Sequence, residues 1–405
     1  MSMVAFGRTV GLVTARSTTR RKFRIGLEAI EKGTGRLSVG PDVQYDGDGV
    51  SFRRGDVLFG KLRPNLRKAW LADSDGDAVG DFHVYRPNPR LMTSRYLAYL
   101  VLSQPFLEPV MASVYGAKMP RADWGAVRNI KVWVPELNEQ RAIADYLDRE
   151  TAQIDAFIAK TEELIALLTE RRAAVIARAV TRGLDENAEM KETGVATLGL
   201  IPAHWTVERI RNVGRAIIGL TYSPEDICDA DDAGTLVLRA GNIQNGELVY
   251  EDCVYVGKVI PRALRLRLGD IVICARNGSA RLIGKNAVAT SEVVDQTWGA
   301  FMVVLRTPIN EYLRWVLNSA IFTSSLGAFA TSTINQLTSS TLHSLQFAMP
   351  PRRERAAISA YLTDATAATD NAIRAARRAI ALARERRAAL ISAAVTGKIE
   401  IGAAA

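Results

Sequence analysis

The strongest constraint on the fold of this chain is a long internal repeat. Residues 135–181 align with residues 350–396 at a constant offset of 215 without a gap, and 22 of the 47 aligned positions are identical. Neither copy contains glycine, and proline occurs only at its start, so each copy is predicted to form one unbroken helix. A duplication of this length governs the architecture of the whole chain.

The apolar residues of each copy follow a heptad spacing, with alternating steps of four and three residues. Two matched seams on one chain meet at high effective concentration, so we expect the helices to pack on each other. An antiparallel coiled coil is predicted, since it would put the globular parts at opposite ends; two independent hairpins or dimerisation arms are the alternative. The large apolar seam residues are Leu147, Ile154, Ile158, Ile165, Leu168, Leu362, Ile373, Ile380 and Leu390.

Two arginines, Arg172 and Arg387, also occupy seam positions, where an unpaired charge is costly. We expect them near the ends of the rod, with their charged groups reaching water; pairing with Glu170 or Glu385 is the alternative. The seam from residue 147 to 179 corresponds to about 50 Å of helix. That length matches roughly fifteen base pairs of B-DNA, as a spacer between two binding sites would.

Charge and composition narrow the class of partner. Lys and Arg number 52 against 43 Asp and Glu, which gives a net charge of +9 and favours a polyanionic partner such as nucleic acid.

The three cysteines form no CxxC pair, so neither a disulfide framework nor a zinc site is expected, and a reducing cytoplasm fits. No apolar run has the length of a membrane span, so a soluble protein is expected. The basic start of the chain is interpreted as a domain surface and not as a transit peptide.

The regions that precede the two helices also resemble each other. Arg54-Gly-Asp-Val-Leu-Phe59 parallels Leu268-Gly-Asp-Ile-Val-Ile273, each a polar turn followed by a buried-type strand. The predicted fold class is α+β, with two globular mixed α/β domains and two long helices packed as an antiparallel coiled coil. The predicted boundaries are 1–134 for the first domain, 135–182 for the first helical region, 183–205 for a linker, 206–349 for the second domain, 350–396 for the second helical region and 397–405 for a tail.

Polar and basic residues gather in loops at matching places in the two domains. One loop follows the shared strand, at 60–68 and 276–285, and another precedes each long helix, at 115–121 and 331–336. Arg, Lys, Asn and Gln side chains read base edges, and Lys, Arg and Ser hold phosphates. The predicted DNA-binding residues are Lys61, Arg63, Asn65, Arg67, Lys68, Lys118, Arg121, Arg276, Asn277, Ser279, Arg281, Lys285, Asn335 and Gln336.

A known family shares these features. The chain resembles the specificity subunit of type I restriction–modification systems. The resemblance is carried by the segment Pro135–Ile143 with Tyr146-Leu147, the segment Glu170–Thr181, the repeats of both, and the lead-in Gly199-Leu-Ile-Pro-Ala-His-Trp205. The resemblance implies two target-recognition domains, each reading half of a bipartite double-stranded DNA site. It also implies assembly with two methyltransferase subunits and with restriction (translocase) subunits. The first domain lacks a counterpart to the 201–205 lead-in, which leaves its N-terminal edge undefined.

Sequence motifs for catalysis are missing from the chain. It has no GxxxxGK[ST] phosphate loop, and Asn88-Pro89 is not followed by the proline and aromatic residue of an adenine methyltransferase pocket. His83, His204 and His343 are isolated, and we expect structural roles for them. We therefore predict a recognition subunit without catalysis or cofactor. The alternatives are the recognition subunit of a type II system with a fused methyltransferase–nuclease, and a coiled-coil scaffold that does not bind DNA.

Overall fold

The fold consists of two compact units, each described by itself. The computed structural model describes residues 3–16, 23–38, 45–115, 119–232, 234–329, 336–399 and 401. Unit 1 comprises Met1–Glu163 and Ala376–Ala405, and unit 2 comprises Leu164–Ala375. Each unit contains one globular domain and one half of each long helix. Among the described residues, no helix combines the length and apolar character needed to cross a membrane.

Domain 1, the globular part of unit 1, is a mixed α/β structure. Its strands are β1 (Met3–Ala5), β2 (Val10–Val13), β3 (Arg24–Ile25), β4 (Gly49–Phe52), β5 (Val57–Gly60), β6 (Ala69–Leu71), β7 (Gly76–Val79), β8 (Phe82–Pro87) and β9 (Lys131–Trp133). Its helices are α1 (Phe6–Thr9), α2 (Ser94–Leu102), α3 (Gln104–Ala112) and α4 (Trp124–Val127). The main sheet is antiparallel in the order β2-β8-β5-β6; β7 lies between β3 and β4, and β1 pairs with β9.

The first long helix, α5 (Leu137–Arg182), follows domain 1 and is 46 residues long. Domain 2, the globular part of unit 2, then begins with a hairpin and builds a second mixed structure. Its strands are β10 (Met190–Glu192), β11 (Leu200–Pro202), β12 (Thr206–Arg209), β13 (Arg215–Ile218), β14 (Ile227–Cys228), β15 (Thr235–Leu238), β16 (Ile243–Gln244), β17 (Glu247–Leu248), β18 (Val254–Val256), β19 (Ile271–Cys274), β20 (Asn286–Val288), β21 (Thr297–Trp298), β22 (Met302–Arg306) and β23 (Gln346–Met349).

The helices of domain 2 precede the second long helix. They are α6 (Ile210–Val213), α7 (Asn310–Leu317), α8 (Ala320–Phe329) and α9 (Ser339–Ser344), and the second long helix is α10 (Arg352–Ala394). The main sheet of domain 2 has the order β13-β22-β19-β20, and β12 pairs with β23. These arrangements match β2-β8-β5-β6 and β1-β9 of domain 1. The two domains therefore share a scaffold, as the paired sequence segments indicated.

A turn with a buried carboxylate starts the central strand of both main sheets. The Asp56 carboxylate accepts hydrogen bonds of 2.9 and 2.7 Å from the Arg86 guanidinium, and Asp270 accepts bonds of 2.8 and 2.6 Å from Arg306. Each aspartate follows a glycine with positive φ, of +90° and +85°, a conformation that favours glycine. The repeated Gly-Asp pair is thus a structural element of the scaffold.

In unit 1 the two long helices run antiparallel. Leu147, near the start of α5, lies in the same apolar cluster as Ile391, near the end of α10. Further along α5, Asp155 bonds to Arg387, which comes earlier in α10. The partner position therefore moves backward along α10 as it moves forward along α5.

Unit 2 repeats this arrangement with the other halves of the helices. Arg172 of α5 bonds to Asp370 of α10, and Ile176 shares an apolar cluster with Leu362. The predicted fold class, two mixed α/β domains with an antiparallel pair of long helices, is confirmed. All nine large apolar seam residues are buried or half-buried.

The expectation that the charged groups of the seam arginines reach water was wrong, and so were the alternative partners Glu170 and Glu385. The Arg172 and Arg387 side chains are only 24% and 7% exposed. The Arg172 guanidinium donates to Asp370 at 2.6 and 3.3 Å, and Arg387 donates to Asp155 at 3.0 Å. Both acceptors are aspartates of the opposite helix. Glu170 and Glu385 each lie two residues from the arginine of their own helix, and that separation places side chains on different faces of a helix.

Each domain is fastened to the C-terminal end of a long helix through a buried tyrosine. The Tyr96 hydroxyl lies 3.2 Å from the carbonyl oxygen of Val395, and the Tyr312 hydroxyl lies 3.2 Å from that of Val180. Burial raises the pKa of both phenols, so they remain neutral donors. In each unit the helix end is thereby held by the adjoining domain.

All three histidines have partners that fit a structural role, and His83 Nδ1 lies 3.0 Å from the Tyr85 hydroxyl. His204 Nε2 lies 2.8 Å from Glu354, whose second carboxylate oxygen accepts a 2.8 Å bond from Trp205 Nε1. This contact ties the lead-in before β12 to the first turn of α10. His343 Nε2 accepts a 3.1 Å bond from the Ala216 backbone.

Candidate nucleic-acid interface

In domain 1, a strained loop follows the central strand β5. The loop starts after Gly60, whose backbone N–H donates to the Lys68 carbonyl at 2.8 Å and so brings the two loop ends together. Arg63 and Arg67 flank a short turn at Pro64–Leu66, and both have a φ of +50°. Left-handed backbone at a residue other than glycine costs on the order of 1–2 kcal/mol and concentrates at functional sites.

The loop that precedes α5 lies directly against this first loop. The Arg63 backbone N–H donates to the Pro120 carbonyl, and the Ala122 N–H donates to the Lys61 carbonyl, each at 2.8 Å. Two of the segments predicted to bind DNA therefore form one continuous surface in domain 1. Lys118, which was also predicted, lies outside the described residues.

An acidic residue partly neutralises the cations of this surface. Asp81, just before β8, accepts a 3.0 Å bond from Arg121, and its other oxygen lies 3.8 Å from the Lys61 ammonium. The hydrogen bond to Asp81 raises the pKa of Arg121. These two cations are therefore oriented by Asp81 at the base of the loop.

Some of the remaining predicted side chains of domain 1 are bonded within the protein, and others are exposed to solvent. Lys68 donates to the Leu27 carbonyl at 2.6 Å, and burial lowers its pKa. Arg67 bonds to Gln104. Arg63 and Asn65 are exposed, so their side chains are the ones best placed to contact an external ligand.

Domain 2 brings its two loops together in the same way. After β19, the backbone N–H groups of Ala275 and Arg276 both donate to the Phe301 carbonyl at 3.0 Å, as Lys61 donates to Asp81 in domain 1. The Leu337 N–H donates to the Ala275 carbonyl at 2.7 Å, and Arg276 forms an isolated β-bridge with Gln336. Asn335 lies outside the described residues.

The side chains on the domain 2 surface also fall into structural and exposed groups. Asn277 accepts a 3.0 Å bond from the Ser279 backbone, so both residues shape the turn. The Lys285 ammonium lies 3.5 Å from the Ala240 carbonyl. Arg276 and Arg281 are exposed, together with Gln336.

Two residues at the centre of these surfaces were missed by the sequence analysis. Asp81 and Phe301 occupy equivalent positions, each accepting a backbone hydrogen bond from the residue that follows the central strand. The ring of Phe301 is 61% exposed, and the Arg276 guanidinium carbon lies 5.4 Å from its centre. Each residue directly precedes a core strand, β8 or β22, and aligning those strands between the domains would have identified both.

Metal-binding clusters are absent from the described ranges, from residue 3 to residue 401 with their gaps. In these ranges no three or more His, Cys, Asp or Glu side chains have the geometry to hold a metal ion.

Comparisons with known proteins identify relatives of this chain. No protein-family model matches it. The specificity subunit of the type I restriction enzyme MjaVIII from Methanocaldococcus jannaschii is 22% identical over 322 residues, which cover 77% of this chain and 72% of that protein. The EcoKI specificity subunit from Escherichia coli is 26% identical over 208 residues, or 50% of this chain and 44% of that protein.

A solved structure supports the same relationship at the level of the fold. A chain from work on complex assembly and conformational transition of the type I R-M system matches with a TM-score of 0.62 and 18% identity, covering 98% of each chain. The resemblance predicted from the repeat and the lead-in segment is confirmed by the names of these relatives.

Proposed function

We propose that this chain, a relative of the specificity subunits of type I restriction enzymes in sequence and fold, recognises a bipartite DNA target, with one half-site bound by each domain. The observation that carries the proposal is the paired construction of the two surfaces. Both domains hold the loop after the central strand against the loop before a long helix, through equivalent backbone hydrogen bonds. One backbone arrangement with two sets of side chains suits the recognition of two different sequences.

The exposed side chains have the chemistry that DNA recognition needs. Arg63 and Asn65 in domain 1, and Arg276, Arg281 and Gln336 in domain 2, are of the types that bond to base edges and phosphates. The net charge of +9 favours association with a polyanion. Binding is therefore expected to weaken steeply as salt is raised, which a protein scaffold that does not bind DNA would not do.

The helices act in this proposal as a spacer between the half-sites. Within each unit the helices pack through buried seam residues and one Arg–Asp pair, Arg387 with Asp155 in unit 1 and Arg172 with Asp370 in unit 2. We infer that the helix pair sets the number of unspecified base pairs between the two halves of the target.

The helix pair is also the surface on which partner subunits are proposed to dock. In unit 1 a surface cavity of about 430 Å³ lies between α5 and α10. Its rim includes Phe157 and Leu382, whose side chains are 49% and 66% exposed. Such apolar exposure on a helix pair suits a protein partner, and we assign it to methyltransferase subunits, two per complex, with restriction subunits joining the full assembly in the cytoplasm. Catalysis and its cofactors belong to those partners in this proposal.

Methylation mapping tests the proposal directly. The chain is expressed with its cognate methyltransferase subunit in a bacterium that lacks DNA methylation, and modified bases are mapped across the genome. A new motif of two short halves around a fixed unspecified gap is expected. Exchanging loop 60–68 should then change one half of the motif, and exchanging loop 276–285 should change the other.

Three outcomes of this experiment would contradict parts of the proposal. Unmodified DNA, with the two proteins soluble and co-purifying, would contradict the proposed recognition. Failure to co-purify would contradict the docking role of the helices. Methylation combined with cleavage by a single fused partner would identify the chain as part of a type II system.

A further inference from the structure

We infer that Arg276 and Phe301 together read a guanine and the methyl group of a thymine in an adjacent base pair of the domain 2 half-site. The inference rests on the proposed function and adds to it the bases that one surface selects. It is carried by the exposure of Phe301, the fixed geometry of its backbone and the position of the Arg276 side chain.

The exposure of Phe301 is unusual for its domain. Trp298, Tyr312 and Phe347 of the same domain are each at most 2% exposed, and even the exposed Tyr250 reaches only 42%. Phe301 has 61% of its surface in contact with solvent, at the edge of a loop surface that carries cations. Burying an aromatic ring is favourable, so this exposed ring is available to gain free energy from a ligand.

The backbone that carries the ring is held in place by the sheet beneath it. The Phe301 carbonyl accepts two backbone hydrogen bonds of 3.0 Å, from Ala275 and Arg276. The next residue, Met302, begins β22 and is fixed by a 2.8 Å bond to the Gly299 carbonyl. Such a rigid setting is what base discrimination requires, because a mobile ring would adapt to several bases.

Arg276 is positioned by the same ring. Its guanidinium carbon lies 5.4 Å from the ring centre, within the range of a cation–π contact. Stacking uses the face of the guanidinium and leaves the N–H groups along its edge free. Among the described residues the guanidinium of Arg276 has no recorded hydrogen-bond acceptor, so its donors are available for an external acceptor.

The major-groove edges of guanine and thymine match the Arg276 guanidinium and the Phe301 ring. Guanine presents two acceptors, O6 and N7, that match an arginine fork, and the thymine methyl is the apolar group on the major-groove edge. Successive base pairs are about 3.4 Å apart. A guanidinium and a ring 5.4 Å apart can therefore contact neighbouring base pairs at the same time.

Domain 1 provides an internal contrast. The position equivalent to Phe301 is Asp81, whose carboxylate is engaged by Arg121 and Lys61. Domain 1 thus has no apolar group at this position. A contribution from a thymine methyl is accordingly expected in the domain 2 half-site and not from the equivalent position of domain 1.

Modified bases test the inference once the target is known. Binding of the complex with the methyltransferase subunit is measured on duplexes in which single thymines of the domain 2 half-site are replaced by uracil, and single guanines by 7-deazaguanine. Loss of one methyl contact should weaken binding about fourfold at one thymine. Loss of N7 at the adjacent guanine should weaken binding about tenfold.

Variants then assign the effect to the two side chains. Phe301→Ala should bind the thymine duplex about fourfold more weakly and no longer distinguish thymine from uracil, whereas Phe301→Leu should keep part of the discrimination. Arg276→Ala should lose sensitivity to 7-deazaguanine, because no side-chain donor then reaches N7. Val259→Ala, at a residue 90% exposed elsewhere in unit 2, is the control and should behave as the wild type.

Two results would overturn the inference. One is a wild-type complex that binds its motif in a salt-dependent way yet responds to uracil at no thymine of this half-site. The other is a Phe301→Ala variant that still discriminates thymine from uracil. Both differ from failure of the proposed function, in which the wild-type complex would bind no motif, and the inference would fall with it.

Discussion

Arg172 of the first long helix is bonded to Asp370 of the second, and the equivalent residues form the same pair in exchanged roles. Arg387 occupies the place of Arg172 in the second repeat, and Asp155 occupies the place of Asp370 in the first. Unit 1 thus contains Arg387 with Asp155, and unit 2 contains Arg172 with Asp370. Each arginine bonds to an aspartate from the other repeat.

The pair in unit 1 is predicted to contribute more stability than the pair in unit 2. Arg387 and Asp155 have side chains only 7% and 9% exposed, against 24% and 31% for Arg172 and Asp370. Arg387 also donates to the carbonyls of Gly33 and Thr34 at 2.7 Å. Arg387→Met should therefore lower the free energy of unfolding by about 2–4 kcal/mol, because the buried Asp155 carboxylate keeps only Arg36, at 2.8 Å, and the Gly33 and Thr34 carbonyls lose their donor. Arg172→Met should cost about 1–2 kcal/mol.

Urea denaturation of both variants measures this difference. The double variant with Arg387→Met and Asp155→Leu serves as the control, since removing both charges should restore much of the stability lost in the single variant. Equal losses of unfolding free energy for Arg387→Met and Arg172→Met would contradict the prediction that the more buried pair, Arg387 with Asp155, contributes more stability.

The spacer of the DNA target is predicted to follow the length of the helices. One heptad inserted after Glu163 and another after Arg378 keep both seams continuous, because the two sites are equivalent in the repeats. Seven residues add about 10 Å of helix, or roughly three base pairs. Methylation mapping should find unchanged half-sites and a longer gap; an unchanged gap would rule out the spacer role.

Arg63 is predicted to strengthen DNA binding although its backbone conformation is unfavourable for a residue other than glycine. Its φ of +50° suits glycine, so Arg63→Gly should leave stability within about 1 kcal/mol of the wild type or raise it. The same variant should bind DNA about tenfold more weakly, because an exposed guanidinium is lost. Thermal melting and salt-controlled binding assays measure the two effects.

Arg54→Ala is the matched control for this prediction. Arg54 is also exposed, but it precedes β5, whereas Arg63 follows that strand. Its removal should change binding far less than the removal of Arg63. Comparable losses from both variants would mean that only the total charge of domain 1 matters.

Stability of unit 1 is predicted to fall in mild acid because of His83. Burial, with a smaller contribution from Lys61, lowers the pKa of His83 to about 4, against 6.5 for a histidine in water. Between these values the unfolded chain binds a proton that the folded chain does not, so stability is lost as pH falls through this window. The loss is on the order of 3 kcal/mol once pH is below both values.

His83→Gln tests this prediction, because the amide can keep a polar contact with the Tyr85 hydroxyl, which lies 3.0 Å from His83 Nδ1, but cannot titrate. Unfolding curves from pH 4 to 7 should show a weaker pH dependence for this variant than for the wild type. His204→Gln, at an exposed histidine, is the control. An unaltered pH dependence in His83→Gln would show that carboxylates and not His83 govern acid stability.

The helices could be predicted closely because their information is local and duplicated. The repeat placed the helical regions at 135–182 and 350–396, and the helices observed are Leu137–Arg182 and Arg352–Ala394. A heptad seam needs only the spacing along one helix. The partners of Arg172 and Arg387 could not be read in this way, since they depend on the relative alignment of two segments about two hundred residues apart.

The candidate surface was predicted only in part for the same reason. Exposed arginines in loops are visible in a sequence, and Arg63 and Arg276 were named. Lys68 was named as well, but its ammonium bonds to the Leu27 carbonyl, which belongs to a distant segment. Asp81 and Phe301 escaped attention because their importance comes from strand pairing, which brings them beside loops about twenty residues earlier in the chain.

The exchange of partners between the repeats has an evolutionary consequence. A charge change at Arg172 cannot be compensated within its own repeat, because the complementary aspartate is encoded in the other copy. The two helical segments must therefore change together at these positions, and recombination that replaces one helical copy with the other leaves both pairs intact. The domain loops are not linked by such pairs, so each can change independently of the other. Selection on the helix pair can thus preserve the repeat while the loops of the two candidate surfaces diverge.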